Sequence, residues 1–343
     1  MPRHSAFWAP EHYAARRPRL LARARIVKAL RGFFEQQGFW EIEPSALQIS
    51  PGNETHIAGF ATRFEPLGGA PTPYYLHSSP EFDCKKLLAA GETKIFSLAH
   101  VFRNGERTKL HHPEFTMLEW YRAGAPYREL IEDCAAILRV AAEAAGASAF
   151  HFGSSQLDPH AALEILTVTE AFSRHAGIDL AALLDDREAL AREAARLGIR
   201  VSADDAWSDL FSKIVSETIE PHLGHGRAAV LIDYPASEAA LARRKPEDPR
   251  FAERFELYGC GVELANAFGE LTDPVEQRCR FEADMAERQR IYGQSYPIDE
   301  DFLAALALMP PASGAALGFD RLVMLATGAD HIEDVLWAPV APP

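Results

Sequence analysis

Residues 101–121 read Val-Phe-Arg-Asn-Gly-Glu-Arg-Thr-Lys-Leu-His-His-Pro-Glu-Phe-Thr-Met-Leu-Glu-Trp-Tyr, the densest concentration of binding chemistry in the chain. An apolar strand ends in Arg103. A polar tip follows with Glu106, Arg107, Lys109, His111 and His112, and a second strand runs over residues 114–121. The two-residue period of a strand puts Phe115, Met117, Glu119 and Tyr121 on one face. An aromatic plate, a carboxylate and a phenol then share a surface with an arginine at the hairpin's base. Such a surface could stack a flat base, hold a phosphate and clamp an ammonium group. An ordinary two-faced sheet carries the same pattern, so the hairpin alone leaves both readings open.

Two further segments carry comparable chemistry. In residues 254–270, Glu256 and Glu263 fall in consecutive strands around a turn at Gly259 and Gly261. Paired carboxylates of this kind suit Mg²⁺ held against phosphate oxygens. Asn266, Phe268 and Glu270 follow at alternate positions, hence on one strand face. Glu263 is out of phase with them, so a bulge or kink near Ala265 must intervene if all serve one site. Residues 313–321 run a small-residue strand into a helix start, where Arg321 can meet phosphates. No G-x-G-x-x-G opens a helix after an early strand, and no G-x-x-x-x-G-K-[ST] occurs, so a nucleotide would bind outside those two modes.

The elements that must position these groups follow from periodicity. Residues 20–37 predict an amphipathic helix, with Leu21, Ile26, Leu30, Phe33 and Phe34 as its apolar stripe, ended by Gly38. A strand over 39–43 stops at Pro44. Ser79-Pro80-Glu81 reads as the capped start of a helix to about Ala90, and residues 127–145 as a helix rich in alanine and leucine. Residues 150–226 differ in texture and read as a helical insertion, with short helices at 161–165, 168–176, 187–197 and 207–219. Strands return at 228–234, 254–258, 262–268 and 315–319, with helices at 274–291, 299–308 and 320–327. Hairpins and long intervals without strict alternation indicate an α+β fold on a largely antiparallel sheet.

Composition bounds the rest. The 343 residues, 48% hydrophobic and 24% charged, allow one large domain or two modest ones with a substantial core. No apolar stretch approaches bilayer length and the N-terminus lacks a signal-peptide pattern, so a cytoplasmic protein with no membrane partner is expected. Cys84, Cys134, Cys260 and Cys279 form no C-x-x-C pair and read as reduced thiols. The formal charge of −14, from 49 acidic against 35 basic residues, counts against a dedicated RNA-binding domain.

Taken together, the strand ending at Pro44, the hairpin over 102–121 and the run over 314–321 resemble the three motifs of class II aminoacyl-tRNA synthetase catalytic domains, most closely the lysyl enzymes. The resemblance covers the chain from about Arg16 and implies a single catalytic domain over 1–343, dimeric through its first motif. It implies ATP and Mg²⁺ as cofactors. Arg103 would contact the α-phosphate and Phe115 would stack on adenine. His111 and Arg321 would hold the triphosphate tail, and Glu256 and Glu263 would bind Mg²⁺. Glu119, Tyr121, Asn266, Phe268 and Glu270 would shape a lysine pocket, with Glu270 facing the side-chain ammonium and Glu81 near the amino group. The family's acid that reads the adenine amino group follows Arg-Asn directly. Here Gly105 intervenes and Glu106 is its substitute, while His112 stands where asparagine is usual.

Three departures from the synthetases point to one branch. Only about 20 residues precede the expected first helix, so no N-terminal anticodon-binding domain is expected. Ala316 replaces the middle glycine of Gly-Leu-Gly-Ile-Gly, adding a methyl at the floor of the amino-acid site. Leu110 replaces a hairpin-loop arginine. These features are similar to the elongation factor P–(R)-β-lysine ligases, which move β-lysine onto a lysine of elongation factor P. The resemblance implies that protein as partner, with tRNA not expected. Two alternatives stay open: a synthetase-like enzyme charging tRNA or another carrier with α-lysine, and a non-catalytic lysine-binding regulator.

Overall fold

The computed structural model describes residues 6–341. Thirteen strands and nine α-helices alternate irregularly along the described chain. Helix α1 (Pro10–Gln36) leads to β1 (Trp40–Glu41), and a small sheet follows from β2 (Leu47–Gln48), β3 (Phe60–Phe64) and β4 (Thr72–Leu76). Next come α2 (Glu81–Ala89), the hairpin β5 (Lys94–Phe102) and β6 (Glu114–Ala123), and α3 (Glu129–Ala145). A short hairpin, β7 (Phe150–Phe152) and β8 (Ser155–Leu157), precedes β9 (Glu164–Thr167). Helices α4 (Val168–Ala171), α5 (Arg187–Arg196) and α6 (Trp207–Ile214) follow. The second half contains β10 (Ala229–Pro235), β11 (Phe251–Gly259), β12 (Val262–Gly269), α7 (Pro274–Tyr292), α8 (Glu300–Leu306), β13 (Ala312–Gly318) and α9 (Phe319–Thr327).

Eight strands make the main sheet in the order β1-β5-β6-β13-β12-β11-β10-β9. Its six inner strands pair antiparallel, while the edge strands β1 and β9 run parallel to their neighbours. One face is sealed by α1, α3 and α9, whose Ile26, Leu30, Phe34, Leu138 and Leu322 join Trp120, Leu118 and Leu317 of the strands in the principal core. Alternation along each strand then sends Glu119, Tyr121 and Asn266 to the opposite face. A second cluster around Phe82, Phe281 and Phe302 packs α2, α7 and α8 beside that open face.

Three expectations are corrected. The first helix begins at Pro10, with Pro18 inside it, rather than at residue 20. Its first turns bury Arg16 instead of apolar side chains, and Arg16 donates to the Leu336 carbonyl, so hydrophobic periodicity had no signal there. The helix expected at 161–165 is absent: Glu164–Thr167 is an edge strand paired with β10. A short apolar run cannot be told from a helix by period alone, and the pairing decided it. The strand over 39–43 shrinks to Trp40–Glu41. The remaining insertion helices form as expected, two of them continuing into π-turns at Phe172–Ala176 and Val215–Ile219. They share an apolar cluster with Leu231 and Tyr258 of the sheet.

Candidate active site

A cavity of about 250 Å³ opens on the free face of the sheet, walled by β6, β12 and β13, the hairpin tip, α2 and the loop of residues 50–59. Thirteen of the fourteen residues singled out from sequence line it: Glu81, Arg103, Glu106, His111, Phe115, Glu119, Tyr121, Glu263, Asn266, Phe268, Glu270, Ala316 and Arg321. Glu256 stands just behind the wall, paired across the ladder with Asn266.

The phase problem at Glu263 is resolved by a bulge. Leu257 pairs with Ala265 and Tyr258 with Glu263, leaving Leu264 as the extra residue. A bulge turns one side chain out of step, and Glu263 thereby shares the cavity face with Asn266 and Phe268. Strand β13 lies between β12 and β6, with Ala316 opposite both Asn266 and Glu119 and Gly314 opposite both Phe268 and Tyr121. Gly314 leaves the room that Tyr121 and Glu270 use: a Cβ there would lie 2.2 Å from Tyr121 Cε1 and 2.5 Å from Glu270 Oε1.

One end of the cavity is acidic. Glu119 is buried, accepting from Ser79 Oγ at 2.5 Å and Tyr121 Oη at 2.8 Å. Ser79 Oγ in turn accepts from the Glu81 N–H at 3.0 Å; α2 starts at Glu81 with Pro80 in the N-cap position, one residue later than the cap expected at Ser79. The sequence reading missed Lys85. Its ammonium is wholly buried and sits 2.6 Å from both Glu81 Oε1 and Glu270 Oε2. The i,i+4 spacing of Glu81 and Lys85 was a signal for half of this arrangement; Glu270, from the far end of β12, had none. Burial pushes the Glu119 carboxyl up to about 8, with Glu81 adding to the rise, and pushes Glu270 up to about 7 against the pull of Lys85. Burial works against the Lys85 ammonium too, but Glu270 and Glu81 outweigh it and hold its pKa above the usual range. Three carboxyls share this end with one ammonium and leave it short of positive charge, so it suits a cationic ligand.

The other end is cationic. Arg103, its guanidinium 5.3 Å from the Phe115 ring, projects from the base of the hairpin. Arg321, in the first turn of α9, donates to the Glu263 carbonyl at 2.8 Å, lies 3.5 Å from Glu263 Oε2 and contacts His111 Nε2 at 2.8 Å. Burial, then Arg321 and Arg103, push His111 down to about 4, so its imidazole is neutral near pH 7. His112 is buried in the same wall, its Nδ1 2.6 Å from the Glu114 carbonyl.

Behind Glu263 lies a cluster of acids. Glu256 pairs with Arg254 at 2.5 Å and accepts from Tyr234 at 2.5 Å. The Tyr258 hydroxyl lies 2.5 Å from Glu256 and 3.3 Å from Glu220 of the insertion. Burial, then Glu256 and Glu263, push Glu220 up to about 7. Nothing in Glu220-Pro221-His222 marked that residue in the sequence. Arg254 Nε also donates to Asn266 Oδ1 at 3.2 Å. Among the described residues no three His, Cys, Asp or Glu side chains form a ready-made ion cage. Mutually repelling carboxyls held at Glu256 and Glu263 nevertheless fit a divalent cation whose remaining ligands come from phosphate.

Comparison with known proteins adds lineage to this geometry. The family model for tRNA synthetases class II (D, K and N) matches residues 13–341. The chain is 42% identical over 336 residues to the elongation factor P–(R)-beta-lysine ligase of Sodalis glossinidius, covering 97% of each. It is 39% identical over 324 residues to the protein of that name from Vibrio cholerae, covering 93% of this chain and 94% of the other. A lysine–tRNA ligase of Dehalococcoides mccartyi is 37% identical over 326 residues, which is 94% of this chain and 64% of that one.

Proposed function

This chain belongs to the class II tRNA synthetase family (D, K and N), and from that premise we propose that it activates (R)-β-lysine with ATP and transfers it to the ε-amine of a lysine on elongation factor P. The observation that carries the proposal is the charge layout of one cavity: Glu81 and Glu270 on Lys85 with Glu119 beside them at one end, Arg103 and Arg321 at the other. A substrate with two ammonium groups and a carboxylate fits the first end, and a polyphosphate fits the second. Relatives named as ligases of this kind match over nearly their whole length. Ala316, between Glu119 and Asn266, adds a methyl to the floor where the amino acid would rest.

In the first step the β-lysine carboxylate oxygen attacks the α-phosphorus of ATP. An O–P bond forms, and pyrophosphate leaves with the electrons of the bond that breaks. Phe115 would stack on the adenine, Glu106 would meet its amino group, and His111 and Arg321 would hold the phosphate tail. Arg103 would neutralise charge that grows at the α-phosphate, acting in a site already organised before reaction. Glu256 and Glu263 would hold Mg²⁺, which supplies further charge neutralisation on the phosphates. At the other end Glu81, Glu119, Tyr121, Asn266, Phe268 and Glu270 would seat the amino acid. In the second step the acceptor amine attacks the adenylate carbonyl and AMP leaves, so no enzyme nucleophile is needed.

The proposal includes a cytoplasmic homodimer acting on protein rather than tRNA. Trp40 on the edge strand β1 and Leu47 on β2 are exposed apolar side chains near the C-terminal end of α1 and would be covered by such pairing. Among the described residues no helix is long and apolar enough to cross a membrane.

Pyrophosphate exchange into ATP tests the function, with (R)-β-lysine and α-lysine compared in one preparation. We expect exchange to favour (R)-β-lysine by at least tenfold in kcat/KM, with transfer to elongation factor P following. Preference for α-lysine would return the chain to the tRNA-charging reading. Exchange with neither would leave a lysine-binding regulator.

A further inference from the structure

The loop of residues 50–59 carries none of the residues used so far, yet it is pinned from three sides. Asn53 Nδ2 donates to the Pro297 carbonyl at 3.2 Å, and Thr55 Oγ1 lies 3.1 Å from Asp284 Oδ1. The buried Arg288 donates to the carbonyls of Thr55 at 2.7 Å and Ile57 at 3.0 Å. The Gly59 N–H donates to Tyr296 Oη at 2.8 Å, and the Asn104 N–H ties Ala58 to the hairpin at 2.7 Å. So many anchors on a loop with so little apolar content point to a side chain that must be held in place.

That side chain is Glu54, which lines the cavity. The other acids there are engaged: Glu81 and Glu270 with Lys85, Glu119 with Ser79 and Tyr121, and Glu263 with Arg321. Asp320 is likewise held by Arg23 and the Thr116 N–H, so of the acids lining the cavity Glu54 and Glu106 alone have no hydrogen bond or ion pair among the described residues, and Glu106 belongs to the hairpin tip. The charges that act on Glu54 are Arg103, Glu81, Arg254 and Asp284, from the hairpin, α2, β11 and α7. Arg103 and Glu81 are the groups that bracket the reacting carbonyl in the proposed function, one at the α-phosphate and one at the substrate amine. Burial, partly offset by Arg103, raises the Glu54 carboxyl above its ordinary range, the direction that favours a carboxylate as proton acceptor.

We propose that Glu54 is the base of the transfer step, which rests on the function proposed above. The acceptor lysine arrives as an ammonium, attracted to the one carboxylate near the reacting carbonyl that is free to receive it. Its proton passes to a Glu54 oxygen, and the freed lone pair attacks the adenylate carbonyl. The new N–C bond forms as the carbonyl's bond to the phosphate oxygen breaks; AMP leaves with that electron pair, the nitrogen's second proton passes to the departing phosphate, and Glu54 returns its own proton to water. Arg103 stands on the same side to receive the leaving phosphate's charge.

Glu54→Gln and Glu54→Asp test this in the full-length enzyme, with two readouts beside wild type. One is pyrophosphate exchange with (R)-β-lysine without acceptor; the other is single-turnover transfer from preformed adenylate to elongation factor P between pH 6 and 9.5. In Glu54→Gln, transfer should fall at least about 100-fold further than exchange. Its rate should climb about tenfold per pH unit as free amine accumulates, where wild type levels off. Glu54→Asp should recover part of the transfer rate and the levelling. A parallel loss of exchange and transfer would make Glu54 a support for Arg103 and overturn the proposal, as would unchanged transfer. Wild type failing to exchange or to transfer would instead remove the reading beneath it, and the base with it.

Discussion

At the scale of single residues, the acidic end is governed by a charge deficit. Lys85 cannot neutralise three carboxyls, so the shortfall falls on Glu119, which is only 1% exposed and has Glu81 and Glu270 as neighbours. Its proton is held up to about pH 8 in the folded chain, whereas an unfolded glutamate releases it near about 4.3. The folded state therefore binds a proton that the unfolded state has lost, and that advantage is whole below about pH 4.3 and drains as pH rises toward 8. Glu270, pushed up to about 7, adds to the same decline. We predict that ligand-free enzyme loses Tm from pH 5 to pH 9. Glu119→Gln should flatten that slope by an amount on the order of a few kcal/mol while weakening substrate binding. Thermal scans at the two pH values, with and without (R)-β-lysine, decide it; an unchanged slope would mean that Glu119 is ionised throughout.

At the scale of elements, the site depends on two backbone details, of which one was legible in advance. The bulge at Leu264 could be deduced because Glu263 and Asn266 have the wrong parity for one strand face, and register shifts of one residue flip a side chain. Nothing local announced the close approach at Gly314, because the atoms a Cβ would meet belong to Tyr121 on β6 and to Glu270 beyond the end of β12. Gly314→Ala should cost roughly 1–3 kcal/mol of stability by overpacking. It should also raise the KM for (R)-β-lysine in exchange, since Tyr121 and Glu270 must retreat to make room. Urea unfolding and exchange kinetics on one sample measure both, and an unchanged KM would separate Gly314 from the pocket. The edge strand β9 shows the opposite case, in which a short apolar run was read as helix until its partner β10 was known.

At the scale of the whole molecule, a buried ionic network links segments nearly 300 residues apart. Arg23 of α1 pairs with Asp320 of α9 and donates to Thr116 Oγ1 at 2.8 Å, while the Thr116 N–H donates to Asp320 Oδ2 at 2.7 Å. One knot thereby fixes the N-terminal helix, the β6 strand of Phe115 and Glu119, and the helix start of Arg321. Asp320→Ala leaves Arg23 buried without its anion, at a cost of about 3–5 kcal/mol, and should loosen Arg321. Chemical denaturation checks the first effect and the KM for ATP the second. Pairing Arg23→Met with Asp320→Ala should recover much of the stability, and failure to do so would locate the loss elsewhere.

Periodicity and residue type pointed to the α+β class, most helix and strand positions and the hairpin, because strand parity and turn chemistry are local properties of the chain; the resemblance to class II synthetases then implied which residues would share one site, and thirteen of them line the cavity. What only the tertiary structure decided were the partners: Lys85 between Glu81 and Glu270, Glu220 reaching the Glu256 cluster from the insertion, and Glu54 brought in by an anchored loop. Each depends on contacts across tens or hundreds of residues, where burial and neighbouring charge, not spacing along the chain, set what a side chain can do.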